Sequence, residues 1–183
     1  FWTKEEYLKF ADAMIDKPQS YYAFEILYWC GIRIGELLAL TPKDFDFGKC
    51  TLTINKSYQR LKGRDAITSP KTPKSNRTIK MSKVLREEIQ EYIDMLYGIG
   101  ENERPFQITK SYLHYEMDRG SKQSGVKRIR VHDLRHSHIS LLIERGFSAL
   151  AIAQRVGHES IDIPTDMHTC FQLSRRRWQT DWI

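Results

Sequence analysis

The segment VHDLRHSHISLL brings two histidines and one arginine into about one turn of a predicted helix. His132 lies near the start of that helix, and Arg135 and His136 follow within four residues. Unpaired backbone N–H groups and the helix dipole favour an anion at such a start. A guanidinium and an imidazole placed there can bind a phosphate and transfer a proton. The segment is compatible with a phosphate site, although an isolated HxxR motif is explained more simply by a helix cap at His132 and a surface ion pair of Arg135.

The spacing of His132 and His136 also matches two metal ligands on one helix face. A zinc or iron site needs further ligands, and the sequence has no HExxH motif, no CxxC pair and no carboxylate cluster beside these histidines. We therefore expect no metal site here.

Three further cationic or titratable residues fall in separate segments. Arg33 follows a helix break in CGIRIGELLAL, Lys71 lies on the exposed loop of SPKTPKSNRTI, and His158 comes directly after a glycine in RVGHESI. Together with His132 and Arg135, they would supply donors to both non-bridging oxygens of a pentacovalent phosphate and an acid for the leaving oxygen. The combined set favours phosphate chemistry more strongly than the HxxR motif alone.

The basic residues are clustered along the chain. The 183 residues include 29 Lys and Arg against 23 Asp and Glu, which gives a net charge of +6 and a pI near 9.2. Between Lys56 and Lys83 the basic residues face a single acid, Asp65, and a second basic cluster spans residues 122–135. This clustering favours nucleic acid as the partner. The positions predicted to contact DNA are Lys62, Arg64, Lys74, Arg77, Lys127, Arg128 and Arg130.

Composition excludes several other classes of protein. A hydrophobic fraction of 40% in 183 residues is sufficient for one domain with a core. Three cysteines without CxxC spacing do not indicate a disulfide framework, so we expect a reducing compartment. The sequence has neither a signal peptide pattern nor an apolar run of the roughly 20 residues that a membrane span needs. We expect a cytoplasmic protein with no membrane partner.

Helix signals dominate the chain. Thr3 and Glu6 form a predicted capping box for a helix to about residue 16, and later helices are predicted from SYYAFEILYWC, from Ser82, from SYLHYEM, from His132 and from SALAIAQRV. Between them, CTLTINKSYQRL, DAITSP and NRTIKM have the composition of strands, and PKTPKS is an exposed connection. We expect an α+β fold, mainly α-helical, with a small three-stranded antiparallel sheet that carries a basic loop.

Four motifs, GIRIGELLAL, PKTPKSNRTI, HDLRHSHISLL and RVGHESI, occur in an order and at separations that resemble the catalytic domain of tyrosine recombinases. The phage and conjugative-transposon integrases are the most similar branch. The resemblance covers residues 1–163 and leaves 164–183 as an atypical tail. From the resemblance we expect the N-terminal core-binding domain of the family to be absent, and DNA binding therefore to lack tight site specificity.

The resemblance implies a reaction in which a tyrosine hydroxyl attacks a DNA phosphodiester. The products are a 3′-phosphotyrosyl link and a free 5′-hydroxyl. The two arginines would bind the non-bridging oxygens, His132 would assist proton transfer, and Lys71 would protonate the 5′-oxygen, with Lys74 as a less favoured substitute. Carried over by motif, the catalytic residues are Arg33, Lys71, His132, Arg135 and His158.

The family also implies the partners and the supporting residues. Neither a metal nor a nucleotide cofactor takes part, the substrate is double-stranded DNA, and full-length members act as tetramers on it. Such a protein is encoded by a bacterium or a phage. Glu36, Asp133 and His136 are expected to orient the catalytic residues or close a helix contact, without a direct role in the transfer.

The nucleophile expected from the resemblance is missing. The family places its tyrosine nine or ten residues after the histidine of RVGH, a position that Met167 or His168 occupies here. Tyr112 and Tyr115 precede the HxxR helix and do not match the motif. Two interpretations stay open: a strand-transferring recombinase whose tail has been misread and which is inactive as written, and a DNA-binding relic of the same fold that holds the pocket but cannot cleave. A tyrosine supplied by a partner subunit would be a third route to activity.

A single lost base at the codon of Ile163 would explain the atypical tail. PTDMHTCFQLSRRRWQTDWI back-translates, with a shift of one nucleotide, into codons that spell TDRYAHLFPIKQKKMADRLD. The tyrosine of the shifted text falls at Met167, nine residues after His158, and YAHLFP is a familiar continuation in this family. We therefore interpret the tail as the product of a frameshift.

The frameshift hypothesis predicts the behaviour of two proteins on a suicide DNA substrate. The chain as written should form no covalent adduct, because methionine has no ionisable hydroxyl. Insertion of one base at the Ile163 codon should restore TDRYAHLFP and adduct formation, which denaturing gel electrophoresis detects. A coding sequence without a tyrosine codon in the other frame, or an adduct with the unrepaired chain, would contradict the hypothesis.

Overall fold

Side-chain caps set the start of several helices. The hydroxyls of Thr3, Ser82, Thr109 and Ser148 each accept a hydrogen bond from the backbone amide three residues later. In this computed structural model, which describes residues 1–61, 63–69 and 76–157, these caps open four of the helices. The described helices are α1 (Lys4–Asp12), α2 (Pro18–Cys30), α3 (Ile34–Leu37), α4 (Lys83–Met95), α5 (Lys110–Ser124), α6 (Asp133–Glu144) and α7 (Ala149–Val156), with a 3-10 turn at Pro42–Asp44.

Helix α2 lies at the centre of the core. Its buried residues are spread around the whole helix, and it packs against α1, α4 and α6. The rings of Tyr7 on α1 and Tyr28 on α2 are stacked with their centroids 3.6 Å apart. Because α6 carries the HxxR motif and α2 ends just before Arg33, this packing brings two predicted site segments together.

Gly31 permits the close approach of α2 and α6. It ends α2 in the left-handed conformation, with φ of 62°. A Cβ atom at this position would lie 2.3 Å from Cδ2 of His138, a buried residue of α6. A glycine is therefore required here for both its backbone conformation and its lack of a side chain.

The strands form two small antiparallel sheets. The first has the order β1 (Phe45–Asp46), β2 (Thr51–Ile54) and β5 (Arg77–Lys80), with Leu52 opposite Ile79 in the buried layer. The second is a hairpin of β3 (Ser57–Leu61) and β4 (Arg64–Thr68). Strand β5 also packs against α7. This contact holds the last described helix against the first sheet.

The expected three-stranded antiparallel sheet is confirmed, but its membership differs from the prediction. CTLTINKSYQRL was predicted as one strand and is divided between β2 and β3. At the division Lys56 turns inward, where Nζ lies 2.7 Å from Asp44 and donates to the hydroxyl of Thr41 at 2.9 Å. The DAITSP strand therefore pairs with β3 in the separate hairpin, and β1 completes the sheet.

The predicted helices occur where their patterns placed them, with differences at the ends. Helix α1 stops at Asp12, about one turn before the predicted end, and the next residues form turns that lead into α2. Helix α4 begins after its predicted cap at Ser82 and ends at Met95. The capping box of Thr3 and Glu6 is present as predicted.

Candidate active site

Arg33 stands at the break between α2 and α3. It is the N-cap of α3 and has extended backbone angles. Its backbone amide donates to Oε2 of Glu36 at 2.8 Å, and its Nη1 donates to Oε1 at 3.1 Å. The side chain stays 40% exposed, so Glu36 orients the guanidinium while leaving part of it accessible to a ligand.

Arg135 is the buried arginine of the site. The residue is 3% exposed. Its Nη1 donates to the carbonyl of Gly31 at 2.8 Å, and its Nη2 donates to the carbonyl of Val156 at 2.5 Å. Desolvation lowers the pKa of Arg135 to about 9, with a further contribution from the charge of Arg33. The guanidinium therefore joins the end of α2 to the end of α7 and remains protonated at neutral pH.

His132 lies at the start of α6 and is exposed. Its ring is nearly perpendicular to that of His136, with the centroids 5.5 Å apart. Desolvation lowers the pKa of His132, and the positive charges of His136, Arg135 and Arg33 lower it further. The imidazole is therefore largely neutral near pH 7 and can accept a proton, and it lies in the same electrostatic environment as both arginines.

Arg77 occupies a different place from the one that the sequence predicted. Its side chain is 6% exposed, and both Nη atoms donate to the carboxylate of Glu36, at 3.1 and 2.8 Å. Its Nε donates to the carbonyl of Arg155 at 2.9 Å. This burial does not fit the predicted DNA contact, because the guanidinium is held within the fold. The local pattern of a basic loop gave no sign of a buried ion pair.

The other described basic candidates lie on the surface. Arg64, Lys127, Arg128 and Arg130 are all exposed. Arg128 lies 2.6 Å from Asp118, and Arg130 lies 2.9 Å from Asp133. Exposed pairs of this kind contribute little to stability, so a DNA phosphate can replace the carboxylates at small cost. These exposed positions are compatible with the predicted DNA contacts, which stay predictions.

Several predicted site residues lie outside the described residues. Among the described ones, Arg135 bonds to the carbonyl of Gly31, two residues before Arg33, and lies three residues after His132 at the start of α6. Glu36 accepts from Arg33, and the ring of His136 lies beside that of His132. Asp133 instead accepts hydrogen bonds from Arg130 at the surface. The predicted positions outside the described ranges are Lys62, Lys71, Lys74, His158, Met167 and His168.

Arg155 is a structural residue that sequence reasoning missed. From the last turn of α7, its Nε donates to Nε2 of His138 at 3.0 Å, and its Nη atoms donate to the carbonyls of Lys80 and Trp29. Burial lowers the pKa of His138 well below its usual value, which keeps this imidazole neutral as an acceptor. An arginine in a short amphipathic helix gave no signal for this role.

The described ranges offer no metal-binding cluster. No group of three His, Cys, Asp or Glu side chains within residues 1–61, 63–69 and 76–157 is arranged to hold a metal ion.

In the same ranges, no helix has both the length and the apolar character that a membrane crossing requires.

The fold defines the class of protein. The structure superposes on XerA recombinase with a TM-score of 0.74 and 18% identity, over 97% of this chain and 64% of that one. It superposes on the Tn1549 transposon integrase, solved in complex with a circular intermediate DNA, with a TM-score of 0.76 and 24% identity, over 87% of this chain and 58% of that one. The fold is that of a tyrosine recombinase catalytic domain.

Sequence similarity identifies the family. Residues 1–166 match the Phage integrase family, and the chain belongs to it. The ICEBs1 integrase of Bacillus subtilis (strain 168) is 31% identical over 198 residues, which cover 99% of this chain and 53% of the relative. The integrase of Staphylococcus phage L54a is 32% identical, over 84% of this chain and 49% of the relative. The chain spans about half the length of these relatives.

Replacement of Arg135 by methionine should lower the stability of the fold. The carbonyls of Gly31 and Val156 would each lose a buried donor, which costs about 1–3 kcal/mol in the free energy of unfolding. Urea denaturation followed by circular dichroism measures this loss. Arg130→Met is the matched control, because it removes an exposed guanidinium close to the start of the same helix and should change little. Equal losses in the two variants would contradict the bridging role.

Proposed function

We propose that this chain is the catalytic domain of an integrase-type, site-specific DNA recombinase, with a phosphate-binding pocket built from Arg33, Arg135 and His132. The observation that supports it most directly is the meeting of two arginines from distant segments. Arg135 donates to the carbonyl of Gly31, two residues before Arg33, at 2.8 Å, and after desolvation the charge of Arg33 is the next cause that lowers the pKa of Arg135. Folding that places like charges together in a partly desolvated site favours an anionic ligand.

The proposed roles are those that the family resemblance implies, and the positions of Arg33 and His132 are compatible with them. The accessible part of the Arg33 guanidinium and the edge of Arg135 would bind the two non-bridging oxygens of one phosphodiester. His132, neutral near pH 7, would take the proton from an attacking hydroxyl. The oxygen–phosphorus bond to the 5′ side would then break, and that oxygen would take a proton from Lys71, which lies outside the described residues. His158, also outside them, would complete the pocket.

The covalent step needs a tyrosine that this chain lacks at the expected place. A tyrosine oxygen would form the new bond to phosphorus, but Met167 and His168 occupy the two positions where the family carries it. The match to the family ends at residue 166, directly before them. Both facts support a chain that binds the DNA phosphate without cleaving the strand.

A non-catalytic DNA-binding protein of the same fold is the second candidate. The missing tyrosine favours it over an active recombinase. The two candidates share the phosphate pocket and differ only in the covalent step. The adduct assay with the repaired and unrepaired tails therefore separates a damaged enzyme from a relic that lost its chemistry by other means.

Double-stranded DNA is the proposed partner, with further recombinase subunits assembled on it. Solved proteins of this fold include the XerH recombinase bound to its difH substrate and a lambda integrase dimer bound to a COC′ core site. The exposed residues Arg64, Lys127, Arg128 and Arg130 would contact the DNA backbone. We place this activity in the cytoplasm of a bacterial host and assign it no cofactor.

The pocket can be tested through the ionisation of His132. A phosphate bound between the arginines adds negative charge beside the imidazole, so the pKa of His132 should rise from its lowered value when DNA binds. Titration of the ring C–H signals by NMR, with and without a short DNA duplex, measures the change.

Two variants make this test specific. Arg33→Met should abolish most of the DNA-induced rise, because it removes one phosphate donor. Arg145→Met, an exposed arginine at the opposite end of α6, should leave the rise intact. DNA that binds without raising the pKa of His132 in the unmodified chain would place the DNA phosphate elsewhere and refute the proposed pocket.

A further inference from the structure

Arg77 links two parts of the site that are far apart in sequence. It is the first residue of β5, and its guanidinium is buried. One edge binds the carboxylate of Glu36 through two hydrogen bonds, at 2.8 and 3.1 Å. The Nε atom binds the carbonyl of Arg155 at 2.9 Å. The planar group thus spans from α3 to the end of α7.

On the α3 side, Arg77 controls a carboxylate that also holds Arg33. Glu36 accepts from the backbone amide and from Nη1 of Arg33 while it accepts from Arg77. Desolvation opposes the charged carboxylate, but the hydrogen bonds and charge of Arg77, together with Arg33, outweigh it and lower the pKa of Glu36. An ionised Glu36 is needed to accept from both arginines at once.

On the α7 side, Arg77 satisfies one of the carbonyls that a helix end leaves unpaired. The carbonyl of Arg155 accepts from Arg77, and the next carbonyl, that of Val156, accepts from Arg135. Gly157 follows in the left-handed conformation, and a Cβ there would lie 3.1 Å from Nη1 of Arg77. Two guanidinium groups, from β5 and α6, therefore fix the last turn of α7.

We propose that Arg77 is a positioning residue of the phosphate pocket, which holds Arg33 through Glu36 and the end of α7 through the carbonyl of Arg155. The proposal rests on the proposed function, since the pocket that it aligns is the one formed by Arg33, Arg135 and His132. Without Arg77, Glu36 loses its principal partner, and Arg33 loses the fixed carboxylate that orients it. Of the two guanidinium contacts to the last carbonyls of α7, only the one from Arg135 would remain.

The geometry requires an arginine at this position. A carboxylate bound at two oxygens and a carbonyl bound at Nε use three donors of one rigid plane. A lysine could supply the charge for Glu36 but not the same three bonds. A methionine would fill part of the volume and leave Glu36 without that charge. The two substitutions therefore separate the effect of charge from the effect of shape.

The test compares Arg77→Met and Arg77→Lys with a matched control, Arg119→Met. Arg119 also pairs with a buried carboxylate, that of Glu116 at 2.9 Å, but it lies on α5 away from the site residues. Like Arg77→Met, the control removes the guanidinium that pairs with a buried carboxylate. A general loss of stability would affect the control and Arg77→Met alike.

The first readout is the order of Arg33 without any ligand. The Nε–H signal of Arg33 in NMR relaxation experiments should show a restricted side chain in the unmodified chain and in Arg119→Met. It should show a mobile one in Arg77→Met and an intermediate one in Arg77→Lys. An Arg33 that stays restricted in Arg77→Met overturns the proposal, whether or not the pocket binds phosphate. If Arg77→Met fails to fold, Arg77→Lys decides by the same criterion.

The second readout is the affinity for inorganic phosphate, followed through the ring signals of His132. Arg77→Met should weaken binding about tenfold or more, since a misplaced Arg33 loses a charge-assisted bond. Arg77→Lys should recover part of this loss, and Arg119→Met should bind like the unmodified chain. Equal affinities for Arg77→Met and the control overturn the proposal. A lack of phosphate response in the unmodified chain refutes the proposed function instead, and the first readout then decides the role of Arg77.

Discussion

The repulsion among the clustered cations is the constraint on which the site depends. Arg33, Arg77 and Arg135 lie in one region, and the buried carboxylate of Glu36 bonds directly to Arg33 and Arg77. Desolvation, and then the charge of Arg33, lower the pKa of Arg135 to about 9. Guanidinium groups held close together by the packing around them favour a phosphate ligand. The electrostatics thus connect the fold to the proposed function.

Packing of α6 and α7 keeps those charges in place. Gly31 lets α6 lie directly against the end of α2, and Arg135 bonds to the Gly31 carbonyl at that contact. Helix α7 is held by a small apolar cluster that it shares with α6 and by the guanidinium groups of Arg77 and Arg135 at its last carbonyls. The members of that cluster are Ile139, Leu142, Ile143, Ile152 and Val156. The same arginines therefore serve both the fold and the proposed phosphate pocket.

Local patterns in the sequence predict the helices and the site segments, but not the internal contacts. Caps such as Thr3 and Ser82 act within three residues, so they could be found from the sequence alone. The inward turn of Lys56 and the burial of Arg77 depend on Asp44 and Glu36, which come from other segments. A basic residue in a basic stretch is normally exposed, and no periodicity reveals the exceptions. For this reason the sequence predicted one strand where the structure has β2 and β3, and it predicted a DNA contact at Arg77, which pairs with Glu36 inside the fold.

The proposed pocket requires Arg33 and Arg135 to bind the same DNA phosphate. A crystal structure of the chain bound to a DNA duplex would measure the distances from each guanidinium to the phosphate oxygens. We expect one phosphate within hydrogen-bond distance of both arginines, with the ring of His132 beside it. A complex in which the two arginines contact different phosphates, or in which the DNA lies on another face of the chain, would refute the pocket.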